Sequence, residues 1–375
     1  MAKETKSERI KDPTVHLNAR IKEIEDELAK TKYNKATQGH IGRLKAKLAQ
    51  LKASKTRGGG KKGYGYGLRK TGDATVIMVG FPSVGKSTLL NRITNAESKV
   101  GAYDFTTISV VPGVLEYNGA KIQVLDVPGV ITEGASGRGR GREILSVVRN
   151  SDLVLLVLDP RDPEHQLDVM MNELKQTGLR INQRPPDVRI AEKGTGGLRV
   201  RSASNMLDAA TAKLIMQEFK CLNADVIIGK GVDADDLIDA FMKNRVYVPA
   251  LLVLNKADVA GAGSGFGPGS DFIKVSAKDG TGIEGLKALM WDRLGLMRIY
   301  LKRIGKPPDL KEPMIVKKPV AGGGITVKEI CRRIHGDLVT KLEYAKVWGP
   351  SARHDGQRVG TDWQLHDRDV VEMHF

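Results

Sequence analysis

The chain has 375 residues, 41% of them hydrophobic and 5% aromatic, with 60 Lys and Arg against 44 Asp and Glu, a net charge of +16 and an isoelectric point near 9.6. That length suggests two or three domains, the hydrophobic share is ordinary for a globular chain, and the charge favours a polyanionic partner. Cys221 and Cys331 are isolated, which excludes a disulfide framework and a cysteine metal site and fits a reducing, cytoplasmic setting.

Residues 1–55 are highly charged, and the N-terminus has no apolar core, so no secretory leader is expected. Ile21, Ile24 and Leu28, then Ile41, Leu44, Leu48 and Leu51, recur at three- and four-residue spacing. This predicts two amphipathic helices with a break near residues 34–39. Each stripe is narrow, so the pair is expected to form a hairpin packed on itself or on the body. Through Lys70, roughly 19 Lys and Arg stand against roughly 7 Asp and Glu. A solvated coiled-coil face and an RNA-facing arm both fit that excess. Residues 55–70, KTRGGGKKGYGYGLRK, have too much glycine to build a core. They fit a flexible linker, or a segment whose bases and tyrosines contact phosphates and stack on nucleobases.

From residue 72 the pattern becomes strand–helix alternation. An apolar strand at 76–79 runs into Gly80-Phe81-Pro82-Ser83-Val84-Gly85-Lys86-Ser87, which reads G-x-x-x-x-G-K-S, and a helix-like run at 88–93 follows. In that context the glycines let successive N–H groups turn inward on a phosphate, and the helix N-terminus adds its dipole. Lys86 is expected to reach the β- and γ-phosphates, and Ser87 to place its hydroxyl on Mg²⁺. Ser83, Val84, Gly85 and Thr88 complete the candidate phosphate contacts. Residues 102–107 are polar and stand where a switch segment would lie. Strands at 110–117 and 120–125 are joined at Asn118-Gly119, a hairpin signal. The second ends in Asp126-Val127-Pro128-Gly129, suited to a Mg²⁺-associated carboxylate at Asp126 and a γ-phosphate-facing N–H at Gly129. Residues 153–159 read as a strand buried on both faces, and they and the run at 246–254 are far too short to span a bilayer.

The core resumes at 248–254 and leads into Asn255-Lys256-Ala257-Asp258. The Asp258 carboxylate can accept from guanine N1–H and its 2-amino group. Against adenine it would face an acceptor, at a cost of roughly 1–3 kcal/mol. Asn255 is expected to bond back to the phosphate loop, and the Lys256 stem to cover the base. A strand at 272–275 leads into Ser276-Ala277-Lys278, a loop able to offer a backbone N–H to guanine O6. The insertion at 176–244 reads as a small α/β lobe. It holds a two-stranded ribbon of 187–190 and 198–201 around residues 192–197, a helix at 212–219, a strand at 224–228 and a helix at 235–242. The Gly194–Gly197 turn opens no helix and lacks GKS, so it reads as a hairpin turn. After a closing helix at 285–296, Lys306-Pro307-Pro308 signals a linker. From Asp309 a strand at 314–317, a helix capped by Thr326 and running to His335, a strand at 344–348 and a last strand through 367–371 fit a grasp-like sheet around one helix. His335, His354, His366 and His374 lack metal-ligand spacing.

Five segments carry a family resemblance: GFPSVGKSTLLN (80–91), DFTTISVVPG (104–113), DVPGVITEGASGRGRGRE (126–143), RVYVPALLVLNKAD (245–258) and YAKVWGPSARHDGQRVG (344–360). Nearly end to end, the chain resembles the developmentally regulated GTP-binding proteins, a translation-linked branch of the Obg-type GTPases. The resemblance implies an α/β protein with a Ras-like P-loop GTPase core at 72–175 and 245–305. A basic helical arm and Gly-rich linker would occupy 1–71, an inserted S5-type lobe 176–244 and a β-grasp TGS domain 309–375. It implies hydrolysis of GTP to GDP by a monomeric cytoplasmic switch that meets the ribosome or its RNA, and a regulatory protein, but no membrane. By the same match Thr107, with Thr106 second, is the Mg²⁺- and γ-phosphate-sensing threonine. The implied catalytic set is then Lys86, Thr107 and Gly129, and the metal set Ser87, Thr107 and Asp126. K⁺-stimulated hydrolysis is implied as well, but Ser83 stands where related GTPases carry a K⁺-holding Asn.

Val130 follows Gly129 where Ras-type enzymes place a water-orienting Gln, so intrinsic hydrolysis is expected to be slow unless a cation, a switch residue or a partner completes the site. Arg138, Arg140 and Arg142 fit either an internal arginine finger or a basic loop that contacts RNA or a partner. The alternative function is an RNA- or ribosome-binding module that holds GTP as a structural ligand.

Overall fold

The computed structural model describes residues 13–57, 72–94, 111–127, 147–243, 245–259, 272–318 and 324–375. The expected switch residues Thr106, Thr107 and Gly129, with Val130 and the three arginines that follow, lie outside them. The chain divides into two compact units, Met1–Gly65 with Arg184–Arg245, and Tyr66–Gln183 with Val246–Phe375.

Helices α1 (Pro13–Lys30) and α2 (Gln38–Arg57) pack as a hairpin. Reciprocal bonds close the turn: Asn34 N donates to Thr37 Oγ1 at 3.0 Å, and Thr37 N to Asn34 Oδ1 at 2.9 Å. Ile21, Ile24, Ile41 and Leu44, all from the predicted stripes, are buried.

The second unit begins with β1 (Ala74–Gly80), every residue of which is buried. It passes through the phosphate loop into α3 (Lys86–Ile93). Strands β2 (Val111–Tyr117) and β3 (Ala120–Asp126) form the antiparallel hairpin expected at Asn118-Gly119. Then come β4 (Leu153–Leu158), α4 (Pro163–Thr177) and β5 (Leu179–Ile181).

The insertion carries β6 (Val188–Glu192), β7 (Leu198–Ser202), α5 (Ala209–Glu218), β8 (Ala224–Ile228) and α6 (Ala234–Met242). Its sheet corrects the ribbon reading: β6 and β7 do not pair with each other. Both pair with β8, antiparallel and parallel respectively, in the order β6-β8-β7. The reason lies in burial. Ala224, Val226 and Ile228 are at most 1% exposed, whereas β6 and β7 have no fully buried residue. The most apolar strand takes the centre, and the Gly-rich turn spans two strand positions. In the same unit α2 packs on α5, where Ala46 joins the lobe core. Gly42 allows the approach, since a Cβ there would meet the Ile215 side chain at 3.1 Å.

Strand β9 (Val246–Val248) returns beside β5, in parallel. Strands β10 (Ala250–Leu254) and β11 (Phe272–Lys274) then complete a six-stranded sheet in the order β11-β10-β4-β1-β3-β2, parallel except for β2. This is the expected Ras-like core. Helices α3 and α7 (Ile283–Arg293) bury Leu89, Leu90, Ile93, Leu286 and Met290 on one face. Helix α4 buries Met170 and Leu174 on the other. Each such side chain contributes roughly 1.5–3 kcal/mol, so the strands could be continuously apolar and still be positioned by their two helical layers.

The C-terminal sheet starts earlier than the Pro-rich signal suggested. Strand β12 (Leu296–Lys302) follows α7 after only Leu294 and Gly295. It pairs with β13 (Met314–Lys317), so Lys306-Pro307-Pro308 lies in a connection inside the sheet. Strand β14 (Ile325–Thr326) leads to α8 (Val327–Ile334), whose start carries the capping box Thr326/Glu329, and to the short α9 (Leu338–Lys341). Strands β15 (Tyr344–Trp348), β16 (Gln357–Val359), β17 (Gln364–Leu365) and β18 (Asp369–His374) follow. The order β13-β12-β18-β15-β16, with β12 parallel to β18 and Val327, Ile330 and Cys331 of α8 in its core, makes the grasp-like fold.

Candidate nucleotide site

The sheet register brings four strand ends together: Gly80 pairs with Val157, Leu254 with Leu158 and Met78 with Asp126. β1 is where the strand order reverses, with β3 on one side and β4 on the other, and a crevice forms outside the carboxyl ends of the strands. The phosphate loop turns there. Ser83 and Gly85 have φ of 63° and 90°, an alternation that draws backbone N–H groups to one side. A side chain at Gly85 has no room, because a Cβ would stand 2.5 Å from Asn255 Nδ2.

Lys86 is 9% exposed, and its Nζ donates to Gly80 O at 3.0 Å and Phe81 O at 2.9 Å. An ammonium has three donors, so a third is left for a ligand. Burial lowers its pKa, and the Asp126 charge opposes that shift. A buried cation with this imbalance is stabilised by an arriving polyanion.

Ser87 Oγ donates to Asp126 Oδ2 at 2.8 Å. Asp126 is 3% exposed, and its Oδ1 has no hydrogen-bond partner among the described residues. A hydroxyl beside an orphaned carboxylate oxygen is a donor set suited to a hard divalent cation such as Mg²⁺. Among the described residues no group of three His, Cys, Asp or Glu side chains could hold a metal, and Thr107, the third expected ligand, lies outside them.

Asn255 ties the two halves of the crevice. It is 1% exposed. Its Nδ2 donates to Val84 O at 2.9 Å and Gly85 O at 3.4 Å, and its Oδ1 accepts from Ala277 N at 3.1 Å. Ser276 Oγ donates to Asp258 Oδ1 at 2.8 Å, which braces that exposed carboxylate from the neighbouring loop. Lys256 Nζ donates to Ser83 O at 2.8 Å and Asp159 Oδ2 at 2.7 Å. The motifs read separately in the sequence therefore meet in one crevice, with Thr88 and Lys278 exposed.

Asp159 was not foreseen. It follows β4 and is 8% exposed. Burial raises its pKa, but the Lys256 hydrogen bond, the Arg161 N–H and the charges of both residues outweigh that and hold it below the usual carboxylate range. Its one signal was an Asp at the end of a continuous apolar strand, the same cue that singled out Asp126.

Comparison with known proteins bears on the family. Residues 75–193 match the 50S ribosome-binding GTPase family, 195–296 the C-terminal region of that domain, and 297–374 the TGS domain. A GTP-binding protein of Methanocaldococcus jannaschii is 48% identical, covering 94% of this chain and 91% of that protein. The developmentally-regulated GTP-binding protein 1 of Xenopus laevis is 42% identical over 95% and 98%, and the developmentally-regulated G-protein 1 of Arabidopsis thaliana 40% identical over 94% and 90%. Among solved structures, the cytosolic domain of L. pneumophila FeoB aligns with a TM-score of 0.34 at 17% identity, covering 71% of this chain and 74% of that one. This chain belongs to the developmentally regulated GTP-binding proteins, P-loop GTPases with a C-terminal TGS domain.

Proposed function

We propose that this chain hydrolyses GTP in a Mg²⁺-dependent cycle and acts as a ribosome-associated switch. The observation that carries the reading is the Asn255 bridge, which joins the phosphate loop to the Ser276-Ala277 loop. That bridge ties the loop read as the phosphate cradle to the loop read as the base contact, which supports one nucleotide spanning both. Asp258, braced by Ser276, accepts from the guanine edge, and the Ser276-Ala277-Lys278 loop borders the base. Lys86 neutralises the β- and γ-phosphates. Ser87 and Asp126 hold Mg²⁺, which when bound offsets charge on the phosphate oxygens. Thr107 and Gly129 sense the γ-phosphate and are released after hydrolysis. K⁺ is the candidate second cation. The ribosomal part draws on the 50S ribosome-binding description of the matched family and on the +16 charge.

Three measurements test this. GTP should bind at least about a hundredfold more tightly than ATP, the discrimination a polar pocket gives against a base that leaves its groups unpaired; equal affinities would sink the role of Asp258. Lys86→Ala should lower turnover by about a hundredfold or more, and undiminished turnover would remove Lys86 from the mechanism. With a GTP analogue the protein should travel with ribosomal fractions in a sucrose gradient; absence from all of them, at low and moderate salt, would refute the ribosomal role. Turnover indifferent to Mg²⁺ would favour GTP as a structural ligand.

A further inference from the structure

The inserted lobe carries a second set of features that the nucleotide site does not use. One face of β6-β8-β7 covers the lobe core, so alternate residues form the other face. The register lays Arg189, Ile227 and Arg201 in one row across the three strands, and Ala191, Asp225 and Arg199 in the next. All three arginines are exposed, and Ile227 is 51% exposed. Two residues along β7 put Arg199 and Arg201 about 7 Å apart, and Arg189 stands about 10 Å across the sheet from Arg201. Lys193 hydrogen-bonds Asp225 and, with the charges of Arg199 and Arg201, holds that carboxyl below its usual range. The same Lys193 lines an open cavity of about 350 Å³ together with Phe219, Phe241, Leu222, Lys220, Glu192 and Asn223. The two phenyl rings there lie 4.7 Å apart at 35°, and Leu222 is 63% exposed. On this face and its cavity the acids are Asp225, which Lys193 pairs, and Glu192; Asp235 and Asp236 lie in the first turn of α6.

We propose that this arginine face and the adjoining cavity bind single-stranded RNA, the arginines taking successive phosphates and the cavity an unstacked base. Guanidinium forks match phosphate oxygens in pairs. The paired Phe219 and Phe241 rings and exposed Leu222 offer a planar base an apolar surface, and Lys193 and Lys220 beside them offset the Glu192 charge for an anionic strand. Duplex RNA keeps its bases stacked inside and has none to offer. The inference deepens the ribosomal reading and rests on it for its setting, but the binding itself needs no ribosome.

The test uses the full chain, short fluorescein-labelled oligouridylate and oligoadenylate, and anisotropy titrations over a range of salt. The triple variant Arg189→Gln/Arg199→Gln/Arg201→Gln should bind at least tenfold more weakly. Its slope of log affinity against log salt should fall by about 2, at about 0.7 per phosphate contact on a single strand. Leu222→Ala should weaken binding several-fold with the slope unchanged, because base packing is not ionic. Lys213→Gln, an exposed charge on α5, should leave both quantities near wild type. Unchanged affinity and slope in the triple variant, with an unaltered melting curve, would overturn the proposal. So would duplex RNA that competes as well as single strands, or polyglutamate that displaces RNA at equal charge, the last pointing to an acidic protein. If the RNA titrations succeed but no ribosomal fraction carries the protein, the ribosomal role fails and this site stands. The reverse pattern removes this site alone.

Discussion

Asn255→Ala removes a buried side chain that bridges the crevice. Wild-type Asn255 satisfies Val84 O at 2.9 Å and Ala277 N at 3.1 Å, with a longer contact to Gly85 O at 3.4 Å. Truncation leaves a carbonyl and an N–H unpaired at a site where Asn255 is 1% exposed and Val84 2%. Each orphan costs roughly 1–3 kcal/mol, and the weak third contact adds little, so the expected loss is about 3 kcal/mol. At 1.4 kcal/mol per tenfold, GTP affinity should fall about a hundredfold if the two loops separate fully. By the usual conversion for a unit of this size, the melting temperature should drop by roughly 5–10 °C. Titration with a fluorescent GDP analogue and a calorimetric scan measure both. Binding within threefold of wild type together with an unmoved melting curve would refute the bridging role. Asn255→Asp gives an internal check: it keeps the acceptor for Ala277 N but sets a carboxylate against the Val84 carbonyl, so it should be no better than alanine.

Three further outcomes follow from other contacts. Asp367 accepts from Arg298 through Nε at 3.1 Å, Nη2 at 2.6 Å and the backbone N at 2.7 Å. Burial pushes its pKa up, but these bonds and the Arg298 charge outweigh that and set it below the usual range; its stabilisation is therefore complete above the unfolded value near 3.9 and lost as pH falls through the folded one. Asp367→Asn should cost about 1–3 kcal/mol at neutral pH and flatten the acid limb of the stability curve below about pH 4; denaturant melts at several pH values check this. Gly42→Val crowds Ile215 and Thr211, already 3.1–3.2 Å from a notional Cβ, and should cost about 1–3 kcal/mol, seen as faster proteolysis or amide exchange in α2. Ser83→Asn is expected to raise the ratio of GTP turnover in K⁺ to that in Na⁺, since φ of 63° is a conformation Asn tolerates; an unchanged ratio would take Ser83 out of the cation site.

The GTPase core was legible because its strands are continuously apolar and each ends in a motif whose residues have a defined chemical use. Gly80–Ser87, Asp126 and Asn255–Asp258 stand where strand and pattern stop together, and the sheet register makes those ends neighbours. Pairing within the insertion was not legible. A Gly-rich turn between two short strands looks local, yet β8 enters between them, and only burial in three dimensions favours that order. Strand β12 is not legible as an element: its first residue, Leu296, reads as the end of the closing helix because it continues an apolar run, and Gly295, at φ 62°, is one residue of punctuation. Gly39 and Gly42 read as weak helix formers, but close packing against Leu214 and Ile215 gives them a use that propensity does not register. Asp159 lacked a partner at recognisable spacing; its partner Lys256 is remote in sequence.

The two functional ends of the second unit are joined by one ladder. The β2–β3 hairpin is paired without interruption from Val111–Asp126 to Tyr117–Ala120. At one end Asp126 accepts from Ser87 beside the phosphate loop. At the other, Gly119 lies so close to Pro313 of the C-terminal domain that a Cβ would stand 2.6 Å from its ring, and Tyr117 meets Trp291 edge-on at 6.2 Å. Trp291 in turn carries the Arg298 guanidinium over its ring at 5.3 Å. Lys317 of β13 pairs with Asp152 at 2.6 Å, and Asp152 also accepts from Thr75 N at the start of β1. The contact with the C-terminal domain lies at the far end of the same strand that presents Asp126 to Ser87.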